Sequence, residues 1–163
     1  MNSIVIYASR SGNTKHVAER VAEALRERGD VEVYEVEDAP TDLSHADLVV
    51  IGGPTEAHGM TPPMNDYLDR IYQGSLQHRP VAVFDTRLAW PRILSGSAAE
   101  GIARQLRTDG ALMILTPESF IVSSKPELQP GELDRAGRWA NDVVQAVHPR
   151  TSTPAAAGTP VAS

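Results

Sequence analysis

Short apolar runs, too brief for helices, recur along this chain, and most are followed by a stretch with helical periodicity. Ile4-Val5-Ile6-Tyr7, Asp47-Leu48-Val49-Val50-Ile51 and Val81-Ala82-Val83-Phe84 read as strands buried on both faces. Val31 to Val36 alternates Val-Glu-Val-Tyr-Glu-Val and predicts a half-exposed strand near an edge. Ala111 to Leu115, resumed at Phe120-Ile121-Val122 after a brief break at 116–118, predicts a fifth strand. Between the strands, Val17, Ala18, Val21, Ala22 and Leu25 mark a helix that Gly29 closes. Met64, Tyr67, Leu68 and Ile71 mark another, opened by Thr61-Pro62-Pro63. Ser97-Ala98-Ala99-Glu100 has the form of a capping box ahead of Ile102, Ala103 and Leu106. Leu133, Ala136, Ala140, Val143, Val144 and Val147 trace the last helix, with Trp139 one position off that stripe and read as packing. Strands alternating with helices in this way predict an α/β fold, a doubly wound five-stranded parallel sheet covered on both faces.

A length of 163 residues suits one domain. That domain is expected over residues 1–148. From His148 onward the composition shifts to mostly Pro, Ala, Thr, Ser and Gly without periodicity, and a disordered tail is expected over residues 149–163. Cysteine is absent, which excludes disulfides, thiolate nucleophiles and thiolate metal sites. The formal charge is −6 with no basic cluster, so nucleic acid is a disfavoured partner. No apolar run approaches the ~20 residues of a membrane helix, and the N-terminus lacks the basic start of a signal peptide. A cytoplasmic location is the expectation.

In an open parallel sheet, ligands bind beyond the carboxyl ends of the strands, where the strand order reverses. Three segments therefore matter: 9–14, 53–60 and 85–96. Ser9-Arg10-Ser11-Gly12-Asn13-Thr14 lies between a buried strand and an amphipathic helix. Hydroxyls, a glycine and the free amides of a helix start are what a phosphate monoester needs. The segment is neither a Walker A loop nor a dinucleotide-binding G-x-G-x-x-G. Ser-x-Ser-Gly-Asn-Thr at the end of the first strand resembles the signature of the flavodoxin family. That resemblance implies the strand order 2-1-3-4-5 and flavin mononucleotide (FMN) as cofactor.

The second segment reads Pro54-Thr55-Glu56-Ala57-His58-Gly59-Met60. With Met64 and Tyr67-Leu68-Asp69 it looks like the loop of flavodoxin-like NAD(P)H:quinone oxidoreductases. In flavodoxins this loop touches the flavin N5 edge, and a peptide in it can rotate as the flavin takes a proton. Ala57 or Gly59 would allow that rotation. Many flavodoxins carry a stacking Trp here, where this chain has Glu56 and His58. The third segment contains Asp85, Thr86, Arg87 and Trp90. Trp90 is a candidate cover for a flat ring or a plug that folds the segment onto the sheet. Asp85 and Arg87 are a candidate ion pair, and Arg87 or Arg92 could alternatively steady the segment.

The resemblance extends from residue 3 to about 147. Phe84-Asp85-Thr86-Arg87, Ser95-Gly96-Ser97-Ala98-Ala99, Pro117-Glu118-Ser119-Phe120 and Gly131 to Ala136 look like a group of bacterial flavodoxin-like proteins frequent in actinobacteria. The resemblance implies an FMN-binding electron-transfer protein that meets redox partner proteins. An NAD(P)H:quinone oxidoreductase acting on a small quinone is the alternative, and a flavodoxin fold without flavin is a third. No residue qualifies as a catalytic acid or base. Receiver domains need acidic residues where Ser9-Arg10-Ser11 and Gly52-Gly53 stand, and low-molecular-weight tyrosine phosphatases need a cysteine.

Overall fold

The computed structural model describes residues 1–57 and 59–148. The expected tail at 149–163 lies outside the described residues, as does His58. Six strands and five helices follow one another among the described residues. They are β1 (Ser3–Tyr7), α1 (Asn13–Arg26), β2 (Val31–Glu35), β3 (Leu48–Pro54), α2 (Pro62–Arg70), β4 (Pro80–Leu88), α3 (Arg92–Ser95), α4 (Ala98–Thr108), β5 (Leu112–Met113), β6 (Glu118–Val122) and α5 (Glu132–Val147). The sheet order is β2-β1-β3-β4-β5, every pair being parallel, and β6 also pairs with β4. β5 and β6 thus fill the fifth position in succession, and the expected order 2-1-3-4-5 is the observed one.

Period-two alternation along the central strands feeds two cores. Ile4, Ile6, Val49 and Ile51 face one side with Met64, Leu68, Ile102 and Leu106 of α2 and α4. Val5, Tyr7 and Val50 face the other with Val17, Val21, Ala140 and Val143 of α1 and α5. A strand that must contact helices above and below has no polar face, which is why these runs are continuously apolar. β2 pairs with β1 alone and keeps Glu32 and Glu35 exposed, as its alternation predicts. Trp139 is buried edge-on against Phe84 and Phe120, the rings 5.9 and 6.0 Å away, so it packs as expected. Gly52 makes room for that aromatic group, because a Cβ there would lie 2.1 Å from the Phe84 ring.

Four expectations need correction. β4 continues through Leu88, so Asp85, Thr86 and Arg87 are strand residues paired with β3 and β6. A short helix, α3, occupies part of the expected 85–96 loop. The break in the fifth strand spans 114–117, because Val81 pairs with Met113 while Phe84 pairs with Glu118. Two extra residues are accommodated there, next to Pro117, which has no N–H for a ladder. Leu133, assigned above to the apolar stripe, is exposed in the first turn of α5.

Candidate functional site

Crossovers leave β1 toward β2 on one side and reach β3 on the other, so a crevice opens at the carboxyl ends of β1 and β3. Residues 9–14 form the floor of this crevice. Gly12 sits at φ 90°, a left-handed conformation that a side chain disfavours, and it turns the chain into α1. Asn13 and Thr14 open the helix, where no residue of the helix precedes them to accept their amides. The hydroxyls that the sequence offers have unequal roles. Ser9 Oγ accepts from the amides of Gly12 (3.1 Å) and Lys15 (3.4 Å), an internal cap on the turn. Thr14 is buried, its Oγ1 2.7 Å from Thr86 Oγ1 across the sheet end. Asn13 Nδ2 donates to Ser11 Oγ (3.1 Å) and to the carbonyl of Pro126 (2.9 Å). Ser11 retains its hydroxyl proton, so it can still donate.

The segment after β3 makes a tight reversal. Glu56 and Gly59 exchange backbone hydrogen bonds of 2.9 and 2.8 Å, with Ala57 held at φ 42°. Outside glycine that conformation costs roughly 1–2 kcal/mol. Beneath the reversal lies Asp85, fully buried. Its Oδ2 accepts from Thr55 Oγ1 (3.1 Å), Ser97 Oγ (2.6 Å) and the amide of Ala99 (3.0 Å). Thr55 Oγ1 in turn accepts from the Ala98 amide at 2.8 Å. One carboxylate therefore ties the segment after β3 to the start of α4. The Ser97 capping expected from sequence is present as well, with Glu100 N donating to Ser97 Oγ at 3.3 Å.

A cavity of about 230 Å³ lies above these groups. Arg10, Ser11 and Asn13 line it from the first segment, Pro54, Thr55 and Glu56 from the second, and Thr86, Arg87, Leu88 and Val122 from β4 and β6. Arg10 Nε and Glu56 Oε1 are 3.1 Å apart and join the first two segments. Asp85 and Arg87 do not form the expected pair. Asp85 faces α4, and Arg87 Nη1 donates instead to the carbonyls of Trp90 (2.8 Å) and Leu88 (3.3 Å). Arg87 thus steadies the start of the third segment, as one expectation had it. Trp90 is 62 % exposed and is not among the residues lining the cavity, so it is not a plug in this conformation.

A family profile described as the flavodoxin domain matches residues 4–117, from β1 through the break after β5. The chain belongs to the flavodoxin family. Among solved structures, an archaeal flavodoxin is 26 % identical, with a TM-score of 0.72 over 90 % of this chain and 99 % of its own. Oxidised Flavodoxin 1 from Bacillus cereus is 22 % identical, with a TM-score of 0.75 over 89 % of this chain and 98 % of its own. Rubredoxin oxygen:oxidoreductase from Desulfovibrio gigas is 21 % identical, with a TM-score of 0.71 over 90 % of this chain but only 36 % of its own. The last two speak to the fold alone. No curated protein matched the chain.

Within this flavodoxin, sequence reasoning brought most of the cavity's lining together and missed part of it. Leu88 and Val122 line the cavity, and Pro126 anchors Asn13. None of the three carries a chemical signature, since they contribute methyl groups or a backbone carbonyl. Their common signal is position, at or just beyond the carboxyl ends of β4 and β6. Gly59 is half-buried in the reversal, and the Ala57 side chain is exposed. No described helix is long and apolar enough to cross a membrane.

Proposed function

We propose that this flavodoxin binds FMN non-covalently at residues 9–14 and the adjoining cavity, and carries electrons between partner proteins. One observation carries the reading: the glycine turn into α1 opens onto a cavity at the strand ends. The residues fit the cofactor. The opening amides of α1, the Ser11 hydroxyl and the Arg10 guanidinium are donors for a phosphate monoester. Pro54, Leu88 and Val122 offer apolar surface to a flat ring, and Thr55 and Thr86 offer hydroxyls between the two ends. Bound FMN supplies one- and two-electron chemistry, while the protein holds, orients and shields it. The net charge of −6 suits docking to basic partner surfaces.

A second reading, NAD(P)H:quinone oxidoreduction, is favoured by one feature. No aromatic side chain lines the cavity among the described residues, so none of its walls would stack on and cover a bound flavin ring. Visible absorption of the purified protein, titrated with FMN and with riboflavin, tests the first reading. Binding with fluorescence quenching and at least ~10-fold preference for FMN is expected, since each hydrogen bond to the phosphate contributes about 1.5–3 kcal/mol. Equal affinities overturn the phosphate assignment, and absence of flavin binding overturns the cofactor. Rapid bleaching by NADPH with turnover on a quinone selects the second reading.

A further inference from the structure

Arg10 is an unusual member of its segment, because it is the one full positive charge among residues 9–14 and it is already paired. Its side chain is 73 % exposed and that of Glu56 is 29 % exposed, so their 3.1 Å contact lies at the rim of the cavity. An exposed pair of this kind favours its closed form by about fivefold at most. Arg10 also stands between two spaces. Arg10 and Pro54 line both the 230 Å³ cavity and a smaller one of about 90 Å³, whose other walls include Ser9, Glu37 and Thr61. The side chain is therefore at a junction, with open space to either side of its contact with Glu56.

A guanidinium carries five N–H donors in a planar fork that matches phosphate oxygens. Glu56 offers it one negative charge. A phosphate monoester offers close to two, with three acceptor oxygens. We infer that Arg10 is an exchanging cation and that Glu56 sets the site's selectivity for doubly charged ligands. An anion arriving at residues 9–14 draws Arg10 away from Glu56, and the Glu56 carboxylate is left facing the cavity. For a neutral ligand the exchange brings nothing, because Arg10 is already neutralised. For a singly charged ligand it replaces one pairing by an equivalent one. Only a ligand with more charge than Glu56 gains from it. This inference rests on the phosphate reading above and adds the residue that tunes it.

The test is calorimetric titration of inorganic phosphate, FMN and riboflavin into wild type, Glu56→Gln, Arg10→Gln, the double variant and Glu37→Gln. Circular dichroism checks folding. Glu56→Gln is expected to tighten phosphate and FMN by about two- to fivefold and to leave riboflavin unchanged. Arg10→Gln is expected to weaken phosphate and FMN by about tenfold, and in the double variant the loss of Glu56 brings no gain. Glu37→Gln removes the same unit of charge from the neighbouring cavity wall and is expected to give a smaller gain, because it does not release Arg10. The inference is overturned if Glu37→Gln equals Glu56→Gln, if the gain persists without Arg10, or if riboflavin tightens equally. It is also overturned, with the cofactor reading intact, if wild type binds FMN and Glu56→Gln changes nothing. Failure of wild type to bind either phosphate or FMN overturns both.

Discussion

Replacing Asp85 by alanine removes Oδ2, on which three donors converge, together with Oδ1, which is buried without a hydrogen-bond partner among the described residues. The Ala99 amide, in the first turn of α4, loses its acceptor inside the protein, and stranding such a group costs about 1–3 kcal/mol. Ser97 and Thr55 lose the anchor that holds their hydroxyls at the helix start, and a disrupted cap costs about 1 kcal/mol more. Together these give a destabilisation of about 2–4 kcal/mol, a large part of the roughly 5–15 kcal/mol that holds most domains folded. At roughly 2–4 °C per kcal/mol for a chain of this length, Tm falls by about 4–16 °C. Urea unfolding followed by tryptophan fluorescence measures the loss, with buried Trp139 reporting on the core. Calorimetry gives the Tm. Because Asp85 lies under the cavity, its effect on FMN affinity runs through Thr55. Asp85→Ala and Thr55→Val are therefore expected to be strongly non-additive in FMN affinity. A stability loss under ~1 kcal/mol, or additive effects on affinity, refutes the reasoning.

Gly52→Ala drives a methyl group into the Phe84 ring at 2.1 Å, and Phe120 and Trp139 prevent the ring from yielding. A loss of about 1–3 kcal/mol is expected in urea unfolding, partly recovered by Phe84→Leu in the same chain. Gly12→Ala meets no atom within 4 Å, so its cost of about 1–2 kcal/mol comes from φ 90° alone, and FMN affinity is expected to fall further than with Ser11→Ala. Ser11→Ala being the more damaging change in folded protein would show that hydroxyls, rather than backbone amides, dominate the site. Burial opposes ionisation of Glu132, but hydrogen bonds from Arg135 and the Ile121 amide outweigh it and lower its carboxyl below the ordinary value. Its contribution to stability is complete above pH 4.5, the ordinary value, and is lost as pH falls through the lower folded-state value. Glu132→Gln is expected to destabilise at pH 7 and to flatten the acid limb of the stability curve, read by urea midpoints across pH.

Much of the fold was legible because burial on both faces leaves so narrow a choice of residues. β1, β3 and the start of β4 read directly from their β-branched runs, and α1, α2, α4 and α5 from their spacing. At Asp85-Thr86-Arg87 the strand continues through polar residues, because Asp85 and Thr86 find partners in Thr55 and Thr14, far off in sequence, and Arg87 bonds the nearby carbonyl of Trp90. Periodicity sees only polarity there and reads a loop. Leu133 fits the helical stripe, but it lies in the first turn of α5 and stays exposed. In the site, chemical types and positions were readable, and pairings were not. The composition of 85–87 suggested an ion pair within the segment, whereas Asp85 turns to α4 and Arg87 to the Trp90 carbonyl. The Arg10–Glu56 contact depends on how two separate turns approach one another, which neither turn encodes alone.

The split fifth position of the sheet bears on how the molecule behaves at high concentration. A sheet margin with a long, flat row of free amides and carbonyls recruits strands from other molecules. Here one margin holds only the two residues of β5, then a displaced ladder, then a strand whose Val122 is bridged by Leu128 from its own chain. At the opposite margin β2 projects Glu32 and Glu35 into solvent, so identical molecules meet there with like charges. Among the described residues, both rims thus carry features that oppose edge-to-edge pairing with another molecule.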